Sequence, residues 1–256
     1  MHREVNLSDV HAPYHDVAAW SLALEVVQRI RPAVVNILGD FWDFRELMRF
    51  DHRQGIGGLQ AGINSGFDLL KELKAVHKRK IRFVPGNHEL RLQKYLLKNQ
   101  QLFGLDVLNL PILLRLEELG VEYLDYEIEI VPDKLVGRHG GIIRAKSGWS
   151  ALTHLMRDGY SISSITGDTH RLAKVYFSSR GKTVLGVENG CLCDMNVEYV
   201  HNPNWQHGLS IVHVLDEDFD VDVVRFLRSG RSSRAIVLGE QPISVESMFD
   251  EDEDID

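Results

Sequence analysis

The chain has 256 residues, 44% of them hydrophobic, so it is long enough to bury the core of one large domain. Its formal net charge is −8, yet Glu246 to Asp256 hold seven of the 37 acidic residues and no basic one, which leaves 30 acidic against 29 basic residues elsewhere. This near-neutral remainder excludes the broadly basic surface of a non-specific DNA-binding protein, and the lack of an apolar run of about 18 residues excludes a membrane-spanning helix.

The two ends of the sequence and its two cysteines lead to further predictions. Residues 241–256 are typical of a disordered, solubilising acidic tail, with a partner-binding or nucleic-acid-mimicking role as the alternative, and residues 1–240 are expected to form one domain. The N-terminal stretch lacks the apolar segment of a signal peptide, which favours a soluble, cytoplasmic protein. Cys191 and Cys193 are separated by one residue, a spacing at which a disulfide is strained, so reduced thiols are expected.

The first ~90 residues alternate between strand and helix patterns. Residues 4–9 alternate like a strand, and residues 17–30 have helical spacing. Residues 33–40 form a continuous apolar run, as expected of a buried parallel strand. A helix pattern over 62–79 and a strand pattern over 81–87 complete an α/β unit.

The second half of the chain is mainly β in pattern. Residues 89–119 are expected to be helical with an interruption at Pro111, and a further helix is expected around 148–158. Strand patterns cover 121–131, 133–140, 161–166, 173–179, 182–189, 208–216 and 219–227. The fold class is therefore expected to be α/β, with a single domain before the tail.

Polar residues collect where the predicted strands end. They are Asp9 and His11 in "DVH", Asp40 and Asp43 in "GDFWD", Asn87, His88 and Glu89 in "GNHE", His139 in "GRHGG", and Asp168 and His170 in "GDTH". Ligands of open α/β sheets bind beyond the carboxyl ends of the strands. Carboxylate, amide and imidazole groups suit Mn, Fe, Zn or Mg, with no thiolate required. Each short motif alone is weak, since Gly-Asp often marks a turn, but the five in this order predict a metal site.

The ordered set resembles the calcineurin-like metallophosphoesterases over residues 4–215. The resemblance implies a sandwich of two mixed β-sheets flanked by helices, with 1–240 as the metallophosphoesterase domain. It also implies two divalent metal ions bridged by an aspartate and by a water or hydroxide, with Mn favoured and Fe, Zn, Mg or Ni as alternatives. Residues 188–208 further resemble a branch often found in bacteriophage genomes.

The resemblance assigns site residues by motif position. It implies Asp9, His11, Asp40 and His170 around metal one, and Asp40, Asn87, His139 and Asp168 around metal two. His88 would lie near the leaving group, as a general acid or as a stabiliser of charge, and Asp43 would orient it by a hydrogen bond. Arg91 and Arg171 are candidate donors to a substrate phosphate, with surface salt bridges as the alternative. Among the histidines outside the motifs, four are interpreted as core or surface residues, with His207 in "NWQHG" as the strongest candidate for an exception: His15, His154, His207 and His213.

Asp168 departs from the family pattern, which has Gly-His-x-His where this chain has Gly-Asp-Thr-His. With Asp9 and Asp40 ionised, two divalent ions would leave a net charge of about +2, and an ionised Asp168 lowers it to about +1. That change predicts weaker attraction of phosphate and a preference for harder ions such as Mn or Mg over Zn. Three options stay open: Asp168 is a working ligand, it weakens the second site, or it is a change that impairs turnover.

These inferences predict a dinuclear metal-dependent phosphoesterase. Two cations neutralise the phosphoester and acidify a bridging water, so no Ser or Cys nucleophile is needed. Phosphodiesters and phosphomonoesters are both open, a nucleotide or nucleic-acid type substrate is favoured, and no membrane partner is expected. The alternative is an impaired family member that binds metal and phosphate ligands without efficient turnover. A third interpretation is an α/β protein whose strand-end residues only cap turns. The oligomeric state stays open.

Overall fold

A computed structural model describes residues 1–48, 57–196, 203–216, 218–229, 232–237 and 239–246. Within these ranges two β-sheets pack face to face, with helices on their outer sides. This confirms the α/β class predicted from the sequence pattern and the two mixed sheets implied by the family resemblance. In the described part of the chain, no helix is long and apolar enough to cross a membrane.

The first sheet has eight strands in the order β13-β12-β11-β10-β1-β2-β3-β4. They are β1 (His2–Leu7), β2 (Val34–Leu38), β3 (Lys80–Val84), β4 (Val121–Tyr123), β10 (Gly208–Leu215), β11 (Asp218–Ser229), β12 (Ser232–Ala235) and β13 (Ile243–Glu246). Strands β1 to β4 run parallel, and β10 to β13 form an antiparallel continuation from β1. The carboxyl ends of β1, β2 and β3 therefore meet at one edge.

The second sheet has five strands in the order β5-β6-β7-β9-β8. They are β5 (Ile128–Val131), β6 (Leu135–Arg138), β7 (Ser163–Thr166), β8 (Leu172–Ser179) and β9 (Lys182–Asn189). The central strands β6, β7 and β9 are parallel, and the outer two are antiparallel to their neighbours. The loops after β6 and β7 thus lie together at the carboxyl edge of this sheet.

The described residues form five α-helices beside the sheets: α1 (Val17–Ile30), α2 (Gly58–Val76), α3 (Leu90–Lys98), α4 (Leu110–Leu113) and α5 (Trp149–Arg157). The Asp16 carboxylate caps α1 by accepting a hydrogen bond from Ala19 N at 2.8 Å. The buried side of α1 includes Trp20, Ala23 and Val27, which recur at helical spacing and pack toward the first sheet.

Two hydrophobic cores follow from the alternation of side chains along the strands. Ile37 and Phe83 point to the helix side of the first sheet and belong to the core shared with α1 and α2. Their neighbours Leu38 and Val84 point the other way, into the core between the two sheets, where Ile165 of β7 meets them. All five side chains are fully buried. This packing holds the two carboxyl edges in a fixed relation.

The structure follows the predicted order of strands and helices, but the strand pattern over 121–131 is two strands, β4 and β5, that belong to different sheets, and residues 89–119 are α-helical only in α3 and α4. Three further details differ. Residues 241–256 are not a tail throughout, because Ile243 to Glu246 pair with β12 and Ile243 is fully buried in the first core. Residues 247–256 lie outside the described residues. Pro111 does not interrupt a helix but stands in the first turn of α4, where its missing N–H costs nothing. The sequence pattern also missed β12, a short, polar strand.

Candidate metal centre

The polar strand-end residues meet where the carboxyl edges of the two sheets face each other. Asp9 and His11 follow β1, Asp40 and Asp43 follow β2, Asn87 and His88 follow β3, His139 follows β6, and Asp168 and His170 follow β7. Main-chain bonds fix these loops: the amide of Asp9 donates to Gly39 O at 3.1 Å, and the amide of His11 donates to Asp40 O at 3.0 Å. The amide of Asp168 links the sheets by donating to the Asp9 carboxylate at 3.0 Å.

The backbone turns sharply at this edge. Asp9, His11, Asp40, Asp168 and His170 all have positive φ, between 49° and 69°. This left-handed conformation is unfavourable for residues with a Cβ, although Asp, Asn and His adopt it more readily than most. Strained backbone of this kind costs roughly 1–3 kcal/mol per residue and concentrates at functional sites. Five such residues in one cluster therefore indicate a site whose geometry is imposed by the surrounding fold.

One group of ligand atoms surrounds His170. Its Nε2 lies 3.2 Å from His11 Nε2 and 3.4 Å from Asp9 Oδ1. The Asp40 carboxylate approaches from the other side, with Oδ2 3.9 Å from His11 Nε2. All four side chains are buried. Two imidazole nitrogens and two carboxylates thus converge on one small space.

A second group surrounds His139. Its Nε2 lies 2.9 Å from Asn87 Oδ1, 3.2 Å from Asp40 Oδ2 and 3.6 Å from Asp168 Oδ1. Asp40 Oδ2 belongs to both groups. The structure therefore brings together all seven residues that the sequence nominates as ligands, with one carboxylate shared between two clusters.

The Nδ1 atom of each clustered histidine has a partner of its own. His11 Nδ1 lies 2.9 Å from Asp43 Oδ2, His139 Nδ1 lies 2.8 Å from Leu38 O, and His170 Nδ1 lies 3.6 Å from Cys193 Sγ. Such partners fix the ring and leave Nε2 as the ligand atom, as they do in protein metal sites. The donor set and its orientation therefore fit divalent metal ions.

The charges of the site favour ionised carboxylates. Burial opposes ionisation of Asp40, but His139, His88 and His11 outweigh it and hold the pKa of Asp40 well below its usual range. Burial likewise opposes ionisation of Asp168, but a hydrogen bond with His139 and the charge of His139 lower the pKa of Asp168. Both carboxylates are therefore acceptor-only groups at neutral pH, as a cation requires.

The pKa values of the three clustered histidines shift in different directions. Burial disfavours the charged form of His139, but the Asp40 and Asp168 carboxylates raise its pKa well above the ordinary value. The same balance raises the pKa of His170, where Cys193 and Asp9 oppose the effect of burial. Burial and then His88 lower the pKa of His11. Without an ion the site thus holds protons at His139 and His170.

His88 and Arg91 flank the shared carboxylate. His88 Nδ1 lies 2.9 Å from Asp43 O, while Arg91 Nη2 lies 2.7 Å from His88 Nε2. A carbonyl only accepts and a guanidinium only donates, so these contacts assign the His88 proton to Nδ1. The Asp43 carboxylate is 3.5 Å from His88 Nδ1 but 2.9 Å from His11 Nδ1. Asp43 therefore holds His88 mainly through its main-chain carbonyl.

A family model described as calcineurin-like phosphoesterase (Metallophos) matches residues 5–226, most of the chain. The chain belongs to the calcineurin-like phosphoesterase family. The family implies divalent metal ions, and the converging residues of the structure are candidates to bind them. A comparison with curated protein sequences finds no match.

Solved structures resemble this calcineurin-like phosphoesterase at low sequence identity. Wild-type Vps29 of Entamoeba histolytica complexed with Zn²⁺ is 15% identical, with 95% of this chain and 98% of that chain covered and a TM-score of 0.45. Vps29 of Chaetomium thermophilum is 8% identical, with 96% and 97% covered and a TM-score of 0.49. A dimetal phosphatase of Danio rerio is 12% identical, with 88% and 96% covered and a TM-score of 0.47.

The remaining nominated residues differ in how they are placed. Arg91 reaches the site through His88 and Asp43, as described above. Arg171 is buried next to His170 in sequence, and its Nη1 atom has no hydrogen-bond partner. Among the described residues, the histidines outside the motifs stay out of the two clusters. His207 Nε2 lies 2.8 Å from Cys193 O, and His213 Nε2 lies 2.8 Å from Asp222 Oδ2.

Sequence reasoning missed three parts of this candidate metal site. It set the thiols aside, yet Cys193 contacts His170. It gave Glu89 no role, yet Glu89 is fully buried beneath the loops that carry Asp40 and Asn87. It also missed Trp205, whose ring centroid lies 4.3 Å from that of His170. Only Glu89 could have been found from the sequence, as a charged residue inside "GNHE". Cys193 and Trp205 come from a segment that is remote in sequence from most of the ligands.

Proposed function

We propose that the chain is a dinuclear metal-dependent phosphoesterase. One observation carries the proposal. The Nδ1 atoms of His11, His139 and His170 each contact a partner of their own, and their Nε2 atoms face the carboxylates around Asp40. Asp9, His11, Asp40 and His170 would hold one ion, and Asp40, Asn87, His139 and Asp168 the other. When bound, two divalent ions would neutralise the charge of the phosphoester and activate a water as the nucleophile.

The surrounding residues have distinct tasks in this proposal. Asp43 keeps the Nδ1 proton of His11, so that Nε2 stays available as a ligand. The main-chain amide of His88 donates to Asp40 Oδ1 at 2.8 Å, which leaves Oδ2 as the shared oxygen. The chain's own groups thus orient the shared carboxylate before substrate binds, and electrostatic preorganisation of this kind is a large part of catalysis.

For His88, the geometry favours stabilisation of charge over proton donation. The Nε2 atom accepts a hydrogen bond from Arg91 Nη2 and therefore has no proton of its own to donate in this arrangement. We infer that His88 and Arg91 act together on the leaving oxygen, with Arg91 supplying the charge-assisted donor. Arg171, which follows His170 directly in sequence, is the second candidate donor to a phosphate oxygen.

Asp168 is proposed as a working ligand of the second ion. Its Oδ1 faces His139 Nε2, while its Oδ2 accepts from Gly141 N at 3.0 Å, so the carboxylate has a fixed orientation. A third carboxylate makes the centre less positive and favours harder ions, so Mn²⁺ is the proposed metal. Nucleotide or nucleic-acid phosphoesters are the proposed substrates, and the similarity of 188–208 to the bacteriophage branch stays a prediction.

The test is hydrolysis of bis-p-nitrophenyl and p-nitrophenyl phosphate by the full chain loaded with Mn²⁺, alongside Asp40→Asn. We expect turnover by the wild type, about two metal ions per chain, and a loss of at least about 100-fold in kcat on Asp40→Asn. Asp106 provides a control because it is exposed and belongs to neither ligand cluster, so we expect Asp106→Asn to leave turnover unchanged. Metal binding without turnover would instead identify the impaired relative, and wild-type turnover equal to that of Asp40→Asn would contradict the proposal.

A further inference from the structure

Glu89 is a buried carboxylate that the mechanism above does not use. It is fully buried, at 0% exposure. Its Oε2 accepts hydrogen bonds from Asp40 N at 3.0 Å and Gly86 N at 2.7 Å, and its Oε1 accepts from Trp42 N at 2.8 Å. One side chain therefore ties together the loop after β2 and the loop after β3. Since both oxygens are occupied by main-chain amides, Glu89 is not itself a ligand.

The place where Glu89 acts is the backbone of the shared ligand. Asp40 has a φ of 49°, a strained conformation that needs support from its surroundings. The two loops are in close contact there, since a Cβ at Gly86 would lie 2.1 Å from Asp40 Oδ1. The hydrogen bond from the Asp40 amide to Glu89 holds the main chain of Asp40, while the hydrogen bond from the His88 amide holds its side chain.

We propose that Glu89 is the positioning residue for the shared carboxylate: it fixes the strained backbone of Asp40 relative to Asn87 and thereby sets the geometry of both metal clusters. The inference rests on the proposed function for its catalytic consequence, but its structural part stands on the three hydrogen bonds alone. In Glu89→Gln, one acceptor oxygen becomes an NH₂ donor that faces a main-chain N–H, so at least one of these amides loses its partner.

The matched control is Glu188. It is also fully buried and accepts main-chain hydrogen bonds, from Ser150 N at 3.1 Å and Ala151 N at 3.4 Å, but beneath α5 and not between ligand loops. Both bonds go to Oε1, and Oε2 has no hydrogen-bond partner, so Glu188→Gln removes the charge of a buried carboxylate elsewhere in the fold. It leaves the loops of Asp40 and Asn87 untouched.

Two readouts test the inference on the full chain. In metal-free protein, amide hydrogen exchange at Asp40 and Trp42 should be faster in Glu89→Gln than in the wild type and unchanged in Glu188→Gln. Calorimetric titration with Mn²⁺ should show affinity about 10- to 100-fold weaker in Glu89→Gln, with a similar loss in kcat and little change in KM. Should Glu89→Gln fail to fold, Glu89→Asp, too short to reach all three amides, takes its place.

The outcomes separate this inference from the proposed function. Faster exchange and weaker Mn²⁺ binding without turnover in the wild type would support the positioning role and overturn the phosphoesterase. Wild-type turnover with unchanged exchange and affinity in Glu89→Gln would overturn the positioning role alone. Equal losses of Mn²⁺ affinity in Glu89→Gln and Glu188→Gln would also overturn it, since the effect would then reflect only general destabilisation.

Discussion

The Nε2 atoms of His11 and His170, which are remote in sequence, face each other at 3.2 Å. Two lone pairs at this distance repel each other, so either a proton or a cation must lie between them. The pKa of His170 is raised and the pKa of His11 is lowered, which assigns the proton to His170 when no ion is present. A metal ion at this position therefore has to displace a proton.

The first prediction is that metal binding releases protons. His139 and His170 are protonated in the metal-free fold near neutral pH, because their pKa values are raised, and an ion needs both Nε2 atoms neutral. Affinity for Mn²⁺ should therefore fall as the pH is lowered, by up to about tenfold per pH unit for each proton displaced. Calorimetry in buffers of different ionisation enthalpy measures the number released. A pH-independent affinity between pH 6 and 8, or no proton release, would contradict the assignment.

The same shifts predict how pH affects the metal-free fold. A histidine whose folded pKa is raised stabilises the fold fully below its ordinary pKa, about 6.5, and this contribution is lost as the pH rises through the raised value. The His139 and His170 contributions should therefore decline above pH 6.5 without metal and be replaced by binding energy when Mn²⁺ is present. Thermal melts with and without Mn²⁺ should diverge as the pH rises, and parallel curves would count against this account.

Much of the fold and ligand set could be predicted because both depend on local patterns. Continuous apolar runs such as 33–40 predict buried parallel strands, and parallel strands bring their carboxyl ends to one edge. The short, polar β12 carried no such pattern. Contacts made across the fold, such as Cys193 with His170, depend on tertiary packing that spacing does not encode. The proton position of His88 likewise follows from Arg91 only once both are in place.

The second prediction concerns Asp168→His, which introduces the residue usual in the family. If Asp168 is a working ligand, the wild type holds two Mn²⁺ ions and Asp168→Ala loses about one, since His139, Asn87 and the shared Asp40 hold the second ion weakly without it. Asp168→His should keep both ions but shift preference toward Zn²⁺, because imidazole is a softer ligand than carboxylate. Elemental analysis after dialysis against equal Mn²⁺ and Zn²⁺ measures both effects. A wild type with one ion per chain and a gain in turnover on Asp168→His would show that Asp168 impairs the site.

The third prediction separates the two roles of His88. A general acid matters most for poor leaving groups, so loss of a proton donor at His88 would reduce hydrolysis of alkyl esters far more than of p-nitrophenyl esters. Because Nε2 accepts from Arg91, we expect His88→Asn to lower kcat by a similar factor, about 10- to 100-fold, for both substrate types. Comparison of methyl p-nitrophenyl and dimethyl-type alkyl phosphodiesters measures the difference. A much larger loss for the alkyl ester would restore His88 as the acid.

The fourth prediction is that Cys193 supports His170. Cys193→Ala removes the partner of His170 Nδ1 and should weaken Mn²⁺ binding by about tenfold, whereas Cys193→Ser keeps a hydrogen-bonding atom and should lose less. Cys191 provides the comparison, since it is also buried but its Sγ contacts Gln206 O and Cys193. Titration of the three variants with Mn²⁺ gives the comparison. Equal affinities for Cys191→Ala and Cys193→Ala would remove Cys193 from the site.

The fifth prediction compares two glycines of α2. Gly66 lies against Trp42, and a Cβ there would be 1.9 Å from Trp42 Nε1, so Gly66→Ala must displace the indole from its bond to Ile63 O. We expect the free energy of unfolding to fall by roughly 1–3 kcal/mol. At Gly62 the nearest atom to a Cβ is Pro13 Cδ at 3.7 Å, an ordinary contact, so Gly62→Ala should gain up to about 1 kcal/mol from helix propensity. Urea unfolding of both variants measures the difference. Because Trp42 N also donates a hydrogen bond to Glu89, Gly66→Ala should weaken Mn²⁺ binding, whereas Gly62→Ala should not. Equal stability of the two variants would show that the Trp42 ring is not fixed by α2.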